Sequence, residues 1–389
     1  MKFPYPLKSH LGLPPTGRFK PQDFAIMSAP ALRSMPTRKL ILVTITLLLL
    51  IVYYCPNLYR EDLQRIPSTT DRTRTIPRIV HLVQLKSDEN AELHFSFQSF
   101  LCLYTAYHFI KPDTIFIHTD HSQDSLEHAI DHGSSWTRKV LTAFPNVVKL
   151  NSVTPPTVAT NGLPIERIEH KSDFVRMEQI AIYGGLYLDW DVVTIRSPTP
   201  LLDSGFAAIV GRQVDGNINN GCFMATKDSA LVDLMRREMP VEFSGEWQHH
   251  STGLITPIAE RISYVPGEVL ILDQKAFAPT SWWDDSASAL FSEREDSEKP
   301  VPVDDQLNVD TLNATDRWYS RAKGREWEID FSQTYFLHAF KAIWGPVARF
   351  DGINLQYILR RKSNYALAVW PVVMEGIREG IIHELDETP

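Results

Sequence analysis

The sequence predicts an α/β fold in which a parallel sheet lies between layers of helices. Short apolar runs of strand length alternate with longer segments of helical periodicity. Residues 78–119 contain the first strand, helix and strand in that order, followed by Asp120. This order is typical of parallel sheets, which place their ligands at the carboxyl ends of the strands. With 389 residues and 43% hydrophobic content, the chain is large enough to bury one extensive core.

The individual elements follow from the same patterns. The predicted strands are Arg78–Leu85, Thr114–Thr119, Val147–Val153, Phe206–Val210, Cys222–Ala225, Val269–Leu272 and Thr334–Phe340. The predicted helices are His94–Ile110, Ser135–Phe144, Ser172–Tyr183 with Ser172 as N-cap, Asp228–Glu238, 252–263 and Asn364–Glu384, the last interrupted at Pro371.

The N-terminal quarter of the chain predicts a membrane anchor. Leu40–Cys55 is an uncharged apolar run with basic residues before it, typical of a signal anchor whose C-terminal side is luminal. A cleaved signal peptide and a buried helix are the alternatives. We expect a disordered cytosolic tail (1–39), a transmembrane helix (40–55), a stem (56–77) and a luminal domain (78–389) with a flexible acidic insertion near 284–316. Asn313 begins an N-glycosylation sequon that fits a luminal position.

Charge and cysteine content limit the partners. Residues 1–39 contain seven Lys or Arg and one Asp, so the net charge of −8 leaves −14 on the remainder. An acidic catalytic portion argues against a nucleic-acid partner. Cys102 and Cys222 lie in apolar surroundings and are predicted to be buried free thiols, with a luminal disulfide as the alternative. Cys55 lies at the predicted membrane edge.

The segment His170–Pro200 combines a helix, a Gly-Gly stop, a short strand and two carboxylates. Gly184 and Gly185 are expected to adopt the positive φ that ends the helix. In the strand that follows, alternation places Asp189 and Asp191 on one face, together with Tyr187. Two carboxylates on one apolar strand repel each other, and a hard divalent cation is their simplest partner. Solvated loop aspartates are the alternative.

The same segment resembles a known family, the glycosyltransferases that carry a DxD sugar-binding motif. That group includes fungal α-mannosyltransferases and animal α-1,4-galactosyl- and N-acetylglucosaminyltransferases. The pattern SDxxRxxxxxxYGGxYxDxD is matched by Ser172, Asp173, Arg176, Tyr183, Gly184, Gly185, Tyr187, Asp189 and Asp191. Looser similarity extends to Ile76–His81, Asn220-Gly221, Ser251–Gly253 and His338.

The resemblance implies a single GT-A domain, a Rossmann-like α/β/α fold that binds a UDP- or GDP-linked sugar together with Mn²⁺ or Mg²⁺. Asp191 would bind the metal, Asp189 the ribose or a metal-bound water, and His338 would be a third ligand. Donor-contacting roles would fall to Asp173, Arg176, Tyr187 and Asn220. Taken alone, Asp173 and Arg176 form an ordinary helical ion pair, and residues 215–219 are as consistent with a turn as with a sugar pocket.

The resemblance further implies sugar transfer to a glycan or glycolipid acceptor with retention of anomeric configuration, in the Golgi or endoplasmic reticulum membrane. Two positions depart from the family pattern. Ile343 precedes Trp344 where Gly or Ser is usual, and Leu254 follows the turn glycine where Pro is common. Trp282-Trp283 is predicted to pack in the core or an interface, and His249-His250 to be exposed in a polar turn.

Two rival functions remain open. Residues 189–193, DWDVV, also fit the DxDx[TV] motif of haloacid-dehalogenase-like phosphatases, in which the first aspartate is the nucleophile. That motif leaves Asp173, Arg176 and the Gly-Gly stop unexplained. The second rival is a sugar-nucleotide or glycan-binding protein without transfer activity, for which an intact pair of carboxylates is unnecessary.

Overall fold

The computed structural model describes residues 74–294, 326–340 and 352–387. The strands are β1 (Ile79–Gln84), β2 (Thr114–Thr119), β3 (Val148–Ser152), β4 (Gly185–Leu188), β5 (Val192–Thr194), β6 (Ala208–Arg212), β7 (Ile218–Ala225), β8 (Val269–Leu272) and β9 (Phe336–His338). The helices are α1 (Phe97–Ile110), α2 (Gln123–His132), α3 (Ser135–Thr142), α4 (Ile168–Tyr183), α5 (Thr199–Leu202), α6 (Ala230–Glu242), α7 (Thr252–Ile262), α8 (Gln274–Phe277), α9 (Asp284–Phe291), α10 (Leu355–Arg360) and α11 (Asn364–Arg378). A 3₁₀ turn follows at Glu384–Glu387.

Seven strands form a mixed sheet in the order β3-β2-β1-β4-β7-β6-β8. All run parallel except β7, which is antiparallel to both β4 and β6. The central strands β4 and β7 are buried along their whole length, as expected of strands covered on both faces. The predicted α/β architecture with a largely parallel sheet is therefore confirmed.

A second sheet of two strands, β5 and β9, pairs antiparallel and places Val192 opposite His338. Helix α1 supports this sheet, since the Thr105 hydroxyl accepts a hydrogen bond from the backbone amide of Thr194 in β5 at 3.1 Å. The short sheet matters for function because it carries a C-terminal segment of the chain to the end of β4.

Helix α4 ends where the sequence predicted. Gly184 and Gly185 have φ of +67° and +119°, respectively. A Cβ on Gly185 would lie 2.3 Å from the carbonyl oxygen of Ile79 in β1, so only glycine allows β4 to pair closely there. The chain thereby reverses from α4 directly into the strand that leads to Asp189.

Several predicted boundaries are wrong. Helix α4 begins at Ile168 with Arg167 as N-cap, so Ser172 lies inside the helix and does not cap it. The additional turn is stabilised by His170, which is buried against Phe243. Helix α11 continues through Pro371 and ends at Arg378, because Pro371 is buried in the packed core. Helix α2 was not predicted, since only Leu126 and Ala129 among its residues are buried.

Some predictions concern residues that are not described. The cytosolic tail, the apolar run 40–55, most of the stem, the sequon at Asn313 and Trp344 all lie outside the described residues. Within the described ranges, no helix combines the length and apolar character needed to cross a membrane. The acidic segment 284–316 is described only to residue 294, and its first part is helix α9, which buries Ala287, Leu290 and Phe291.

Candidate functional site

The two predicted carboxylates lie at the carboxyl end of β4, in the turn that leads to β5. The Asp189 amide donates to the carbonyl of Gly221 in β7 at 2.8 Å, and the Val192 amide closes the turn on the Asp189 carbonyl at 3.0 Å. His338, at the end of β9, is carried beside them by its pairing with Val192. Asp189, Asp191 and His338 each offer a ligand atom, and these atoms lie within 4.8 Å of one another. We call these three residues the carboxylate-histidine cluster.

His338 is held in place on both sides of its ring. Its Nε2 lies 3.3 Å from Asp191 Oδ1, and its Nδ1 contacts the side-chain amide of Asn219, with Oδ1 at 3.2 Å and Nδ2 at 2.9 Å. When the hydrogen of the neutral ring is on Nδ1, Asn219 Oδ1 accepts it. Nε2 then turns a lone pair toward the carboxylates, as a metal-ligating histidine requires. Phe340, in the left-handed region at φ +46°, stacks on the ring at 3.8 Å.

Gly221 creates the space between the cluster's side chains. A Cβ at this position would lie 2.5 Å from both Asp189 Oδ2 and His338 Cε1, closer than non-bonded carbon contacts allow. The carbonyl of Gly221 accepts a hydrogen bond from the Asp189 amide, and the amide of Gly221 donates one to Asn219 Oδ1 at 2.8 Å. Gly221 therefore aligns β4, β7 and β9 around one small polar space.

Asp189 is oriented by two neighbours from the predicted motif. Tyr187 donates its hydroxyl to Asp189 Oδ1 at 2.5 Å, and the Arg176 guanidinium lies 3.3 Å from the same oxygen. The guanidinium also lies over the Tyr187 ring at 4.2 Å. Burial raises the pKa of Asp189 above its ordinary value, Arg176 opposes that shift, and Asp191 adds to it. Tyr187 and Asp189 meet as the alternation predicts. The strand ends at Leu188, however, so Asp191 is positioned by the turn and not by alternation along a strand, and that part of the prediction is wrong.

Behind Asp189 lies a buried group that we call the aspartate-arginine network: Asp173, Arg176, Asn220 and His250. Arg176 contacts Asp173 Oδ1 at 3.2 Å and donates to the Asn220 carbonyl at 2.8 Å. Asn220 donates its side-chain amide to Asp173 Oδ1 at 2.8 Å, and His250 Nε2 lies 3.1 Å from Asp173 Oδ2. All four residues are buried, so the Asp173–Arg176 pair is not the surface ion pair that the sequence alone suggested.

The positions of His250 and Asn219 were not predicted from the sequence. His250 was predicted to be exposed with His249, yet its side chain is fully buried while that of His249 is 48% exposed. Nothing local in the sequence distinguishes the two, since burial of His250 depends on Phe174 and Phe243 from other elements. Residues 215–219 were expected to form either a turn or part of a sugar pocket, but β7 begins at Ile218, so Asn219 and Asn220 are strand residues with opposite orientations.

Other candidates lie away from the cluster. Asp215 accepts the Asn217 amide at 3.0 Å and forms a turn, the alternative already open for this segment. Trp282 packs against Phe340, whereas Trp283 is 60% exposed. Cys102 and Cys222 are buried free thiols. A cavity of about 450 Å³ opens between the end of β3, α4 and α6, and its lining includes none of the cluster residues.

The comparisons with known proteins agree with this geometry. Residues 100–207, which include Asp173, Arg176 and both aspartates, match the family model described as "Glycosyltransferase sugar-binding region containing DXD motif". This segment is therefore similar to the sugar-binding region of glycosyltransferases. More particularly, residues 100–207 are a DXD-motif sugar-binding region, and Asp189-Trp190-Asp191 is its motif. The match supports neither the phosphatase nor the non-catalytic alternative.

Solved glycosyltransferases show distant similarity to the chain, and no curated protein matches it. The PaToxG glycosyltransferase is 12% identical over 56% of this chain and 78% of that one, with a TM-score of 0.35. GlyE of Streptococcus pneumoniae is 10% identical over 79% of this chain, with a TM-score of 0.39, and the chain spans 64% of its length. A glycosyltransferase for the major capsid of PBCV-1 is 15% identical over 52% of this chain and 84% of its own, with a TM-score of 0.27.

Proposed function

We propose that the protein transfers a sugar from a UDP- or GDP-linked donor to a glycan or glycolipid acceptor, using a divalent cation bound by Asp191, Asp189 and His338. One observation carries this proposal. Two carboxylates from one turn and the imidazole of His338, which is distant in the sequence, offer ligand atoms within 4.8 Å of one another at the end of a central strand of the sheet. Asp189 and Asp191 lie in the region whose family model describes sugar binding, and His338 lies outside it.

The residues present fit such a cation. Two carboxylates and one imidazole supply oxygen and nitrogen ligands, a set that suits Mn²⁺ and accommodates Mg²⁺ less well. The missing Cβ of Gly221 leaves room between Asp189 and His338, and Asn219 supports the imidazole from behind. When bound, the cation supplies positive charge that stabilises the diphosphate leaving group.

The chain's own residues divide the remaining work. Tyr187 and Arg176 hold Asp189 at a fixed orientation, so the carboxylate needs no reorganisation when ligands arrive. In our proposal Asp173, Arg176 and Asn220 contact the donor sugar and nucleotide. The sheet order, with β7 as the antiparallel strand, supports a GT-A arrangement. Retention of configuration is part of the proposal, and no nucleophile is assigned.

We further propose that residues 40–55 anchor the chain in the Golgi or endoplasmic reticulum membrane, with the catalytic portion luminal. The apolar run, its preceding basic residues and the sequon at Asn313 support this topology. Endoglycosidase treatment of the expressed full-length chain tests it. A cytosolic catalytic portion would show no mobility shift attributable to Asn313.

The deciding experiment is hydrolysis or transfer by the full-length protein across a panel of UDP-glucose, UDP-galactose, UDP-N-acetylglucosamine and GDP-mannose. We expect turnover of one donor with Mn²⁺, loss of turnover in EDTA, and recovery on adding Mn²⁺ back. Turnover that persists in EDTA would contradict the metal mechanism. Phosphate release from simple phosphomonoesters without turnover of any sugar nucleotide would contradict sugar transfer.

A further inference from the structure

His250 has an environment that allows it one polar interaction. It lies two residues before α7, and its side chain has no exposed surface. Phe174 stacks parallel to the imidazole at 5.8 Å, while Phe243 and His170 meet it edge-on at 4.9 and 4.6 Å. Its Nε2 contacts Asp173 Oδ2 at 3.1 Å, and its Nδ1 has no hydrogen-bond partner among the described residues. The aromatic walls fix the ring so that Nε2 faces only Asp173.

Asp173 depends on that interaction for its orientation. Its Oδ1 accepts the Asn220 amide at 2.8 Å and lies 3.2 Å from Arg176, whereas Oδ2 is contacted by His250. Two donors on one oxygen do not stop a carboxylate from turning about its Cβ–Cγ bond, since that torsion is broad. A donor on the second oxygen fixes the plane of the group.

We propose that His250 is a positioning residue for the transfer reaction, holding the carboxylate of Asp173 in the plane that donor binding requires. The inference rests on the proposed function, in which Asp173 contacts the donor. His250 Nε2 donates a hydrogen bond to Asp173 Oδ2, and hydrogen bonds to a carboxylate are shorter and stronger than those between uncharged groups. His250 acts through Asp173 and does not touch the donor.

Three variants separate this role from packing. His250→Gln keeps a donor at a similar reach in a side chain that has no aromatic ring. His250→Phe fills the aromatic pocket and removes the donor. His249→Phe makes the same substitution at the exposed neighbour, 3.9 Å from Glu242 and outside the network. Each is assayed with Mn²⁺ and the donor of the four-member panel that the wild-type full-length protein turns over fastest, and kcat and KM are determined separately.

We expect His250→Phe to lower kcat/KM about 10- to 100-fold, the usual scale for loss of a supporting hydrogen bond. His250→Gln should stay within about threefold of wild type, and His249→Phe should match wild type. A packing role predicts the reverse order, because phenylalanine suits the aromatic pocket better than glutamine. If His250→Phe does not fold, His250→Asn replaces it, since its amide stops short of Asp173.

The outcomes also distinguish this inference from the proposed function. Activity of His250→Phe equal to wild type, or lower activity for glutamine than for phenylalanine, would overturn the role of His250 alone. Failure of the wild type to turn over any donor in the panel would overturn the proposed function, and the positioning role with it.

Discussion

The carboxylate-histidine cluster and the aspartate-arginine network lie side by side but treat their charges differently. In the cluster, the side chains of Asp189 and Asp191 are 31% and 19% exposed and converge on one imidazole. In the network, Asp173 and Arg176 are less than 10% exposed and are satisfied by protein groups. The cluster therefore retains negative charge for a cation from solvent, whereas the opposite charges of Asp173 and Arg176 compensate each other within the protein.

This difference predicts different consequences of mutation. Removing a carboxylate from the cluster removes a cation ligand, so activity should fall. It also relieves repulsion between the two carboxylates, so the fold should be preserved. Removing a charge from the network leaves a buried partner uncompensated, so stability and activity should fall together. Asp189 belongs to the cluster but also contacts the network, because Arg176 lies between it and Asp173.

The largest effect is expected for Asp191→Asn. The substitution keeps the side chain's size and removes one carboxylate from the cluster, so turnover with Mn²⁺ should fall about a thousandfold. The melting temperature without metal should be unchanged or slightly higher. Donor turnover and thermal unfolding in EDTA check both statements. Asp124→Asn, an exposed change in the first turn of α2, is the matched control and should behave as wild type. Strong destabilisation by Asp191→Asn would break the comparison.

Arg176→Gln tests the network. Without the guanidinium, Asp173 and Asp189 lack their shared cation, and unfolding free energy should fall by about 3–5 kcal/mol. Urea unfolding in EDTA measures it. The control is Arg236→Gln, whose ion pair with Glu178 is exposed and should cost less than about 1 kcal/mol. Mn²⁺ should stabilise Arg176→Gln more than wild type, because Asp189 then has no other cation. Equal effects of the two arginine substitutions would refute the distinction.

Gly221→Ala sharpens the comparison at the boundary between the two groups. The added methyl group would lie 2.5 Å from Asp189 Oδ2 and His338 Cε1, so the cluster must open. We expect a 10- to 100-fold loss of kcat/KM, since misplacement by about 1 Å has effects of that size. Manganese titration should show weakened binding. Gly216→Asn is the control, because its Cβ would meet nothing within 4 Å and asparagine tolerates positive φ. Unaltered manganese affinity in Gly221→Ala would show that the cluster does not bind the cation.

The fold was predictable where the signal is local. Continuous apolar runs predicted the buried parallel strands, and Gly184-Gly185 predicted the end of α4 because no other residue pair allows that backbone. The failures have tertiary causes. The first turn of α4 depends on His170 packing against Phe243, and α11 passes Pro371 because the core surrounds it. Helix α2 buries too few residues to show a period.

The site was predictable as far as the helix-turn-strand segment extends. Asp173, Arg176, Tyr187, Asp189 and Asp191 are close in sequence, and the Gly-Gly reversal brings them together. His338 came from family resemblance, and the structure brings it to the cluster through the β5–β9 pairing. The contacts of Asn219 with His338 and of His250 with Asp173 were not predicted, because strand register and aromatic packing between distant elements determine them.

A second buried polar group, which consists of His81, His118 and Asn151, lies on the adjacent strands β1, β2 and β3. His81 Nε2 contacts the carbonyl oxygen of Gly184 at 2.8 Å, and its Nδ1 meets His118 Nε2 at 2.8 Å. Asn151 Nδ2 approaches His118 Nδ1 at 2.9 Å. Because the Gly184 oxygen only accepts, each ring carries its hydrogen on Nε2, and both are neutral. Burial lowers the pKa of His81 to about 4, and burial and the neighbouring His81 lower that of His118 to about 3.

The smallest predicted effect follows from this pair. Below pH 6.5 the unfolded chain binds protons at both histidines, whereas the folded chain does not until the pH nears 4 for His81 and 3 for His118. Stability is therefore complete about one pH unit above 6.5 and falls as the pH decreases, by about 1.4 kcal/mol per histidine between pH 7.5 and 5.5. Urea unfolding in EDTA across this range measures the slope. His118→Gln should be less stable at pH 7.5 but lose less on acidification, and exposed His128→Gln should keep the wild-type slope. If His118→Gln keeps the wild-type slope, His118 does not take up a proton on unfolding. The two histidines would then not be the neutral buried pair described here.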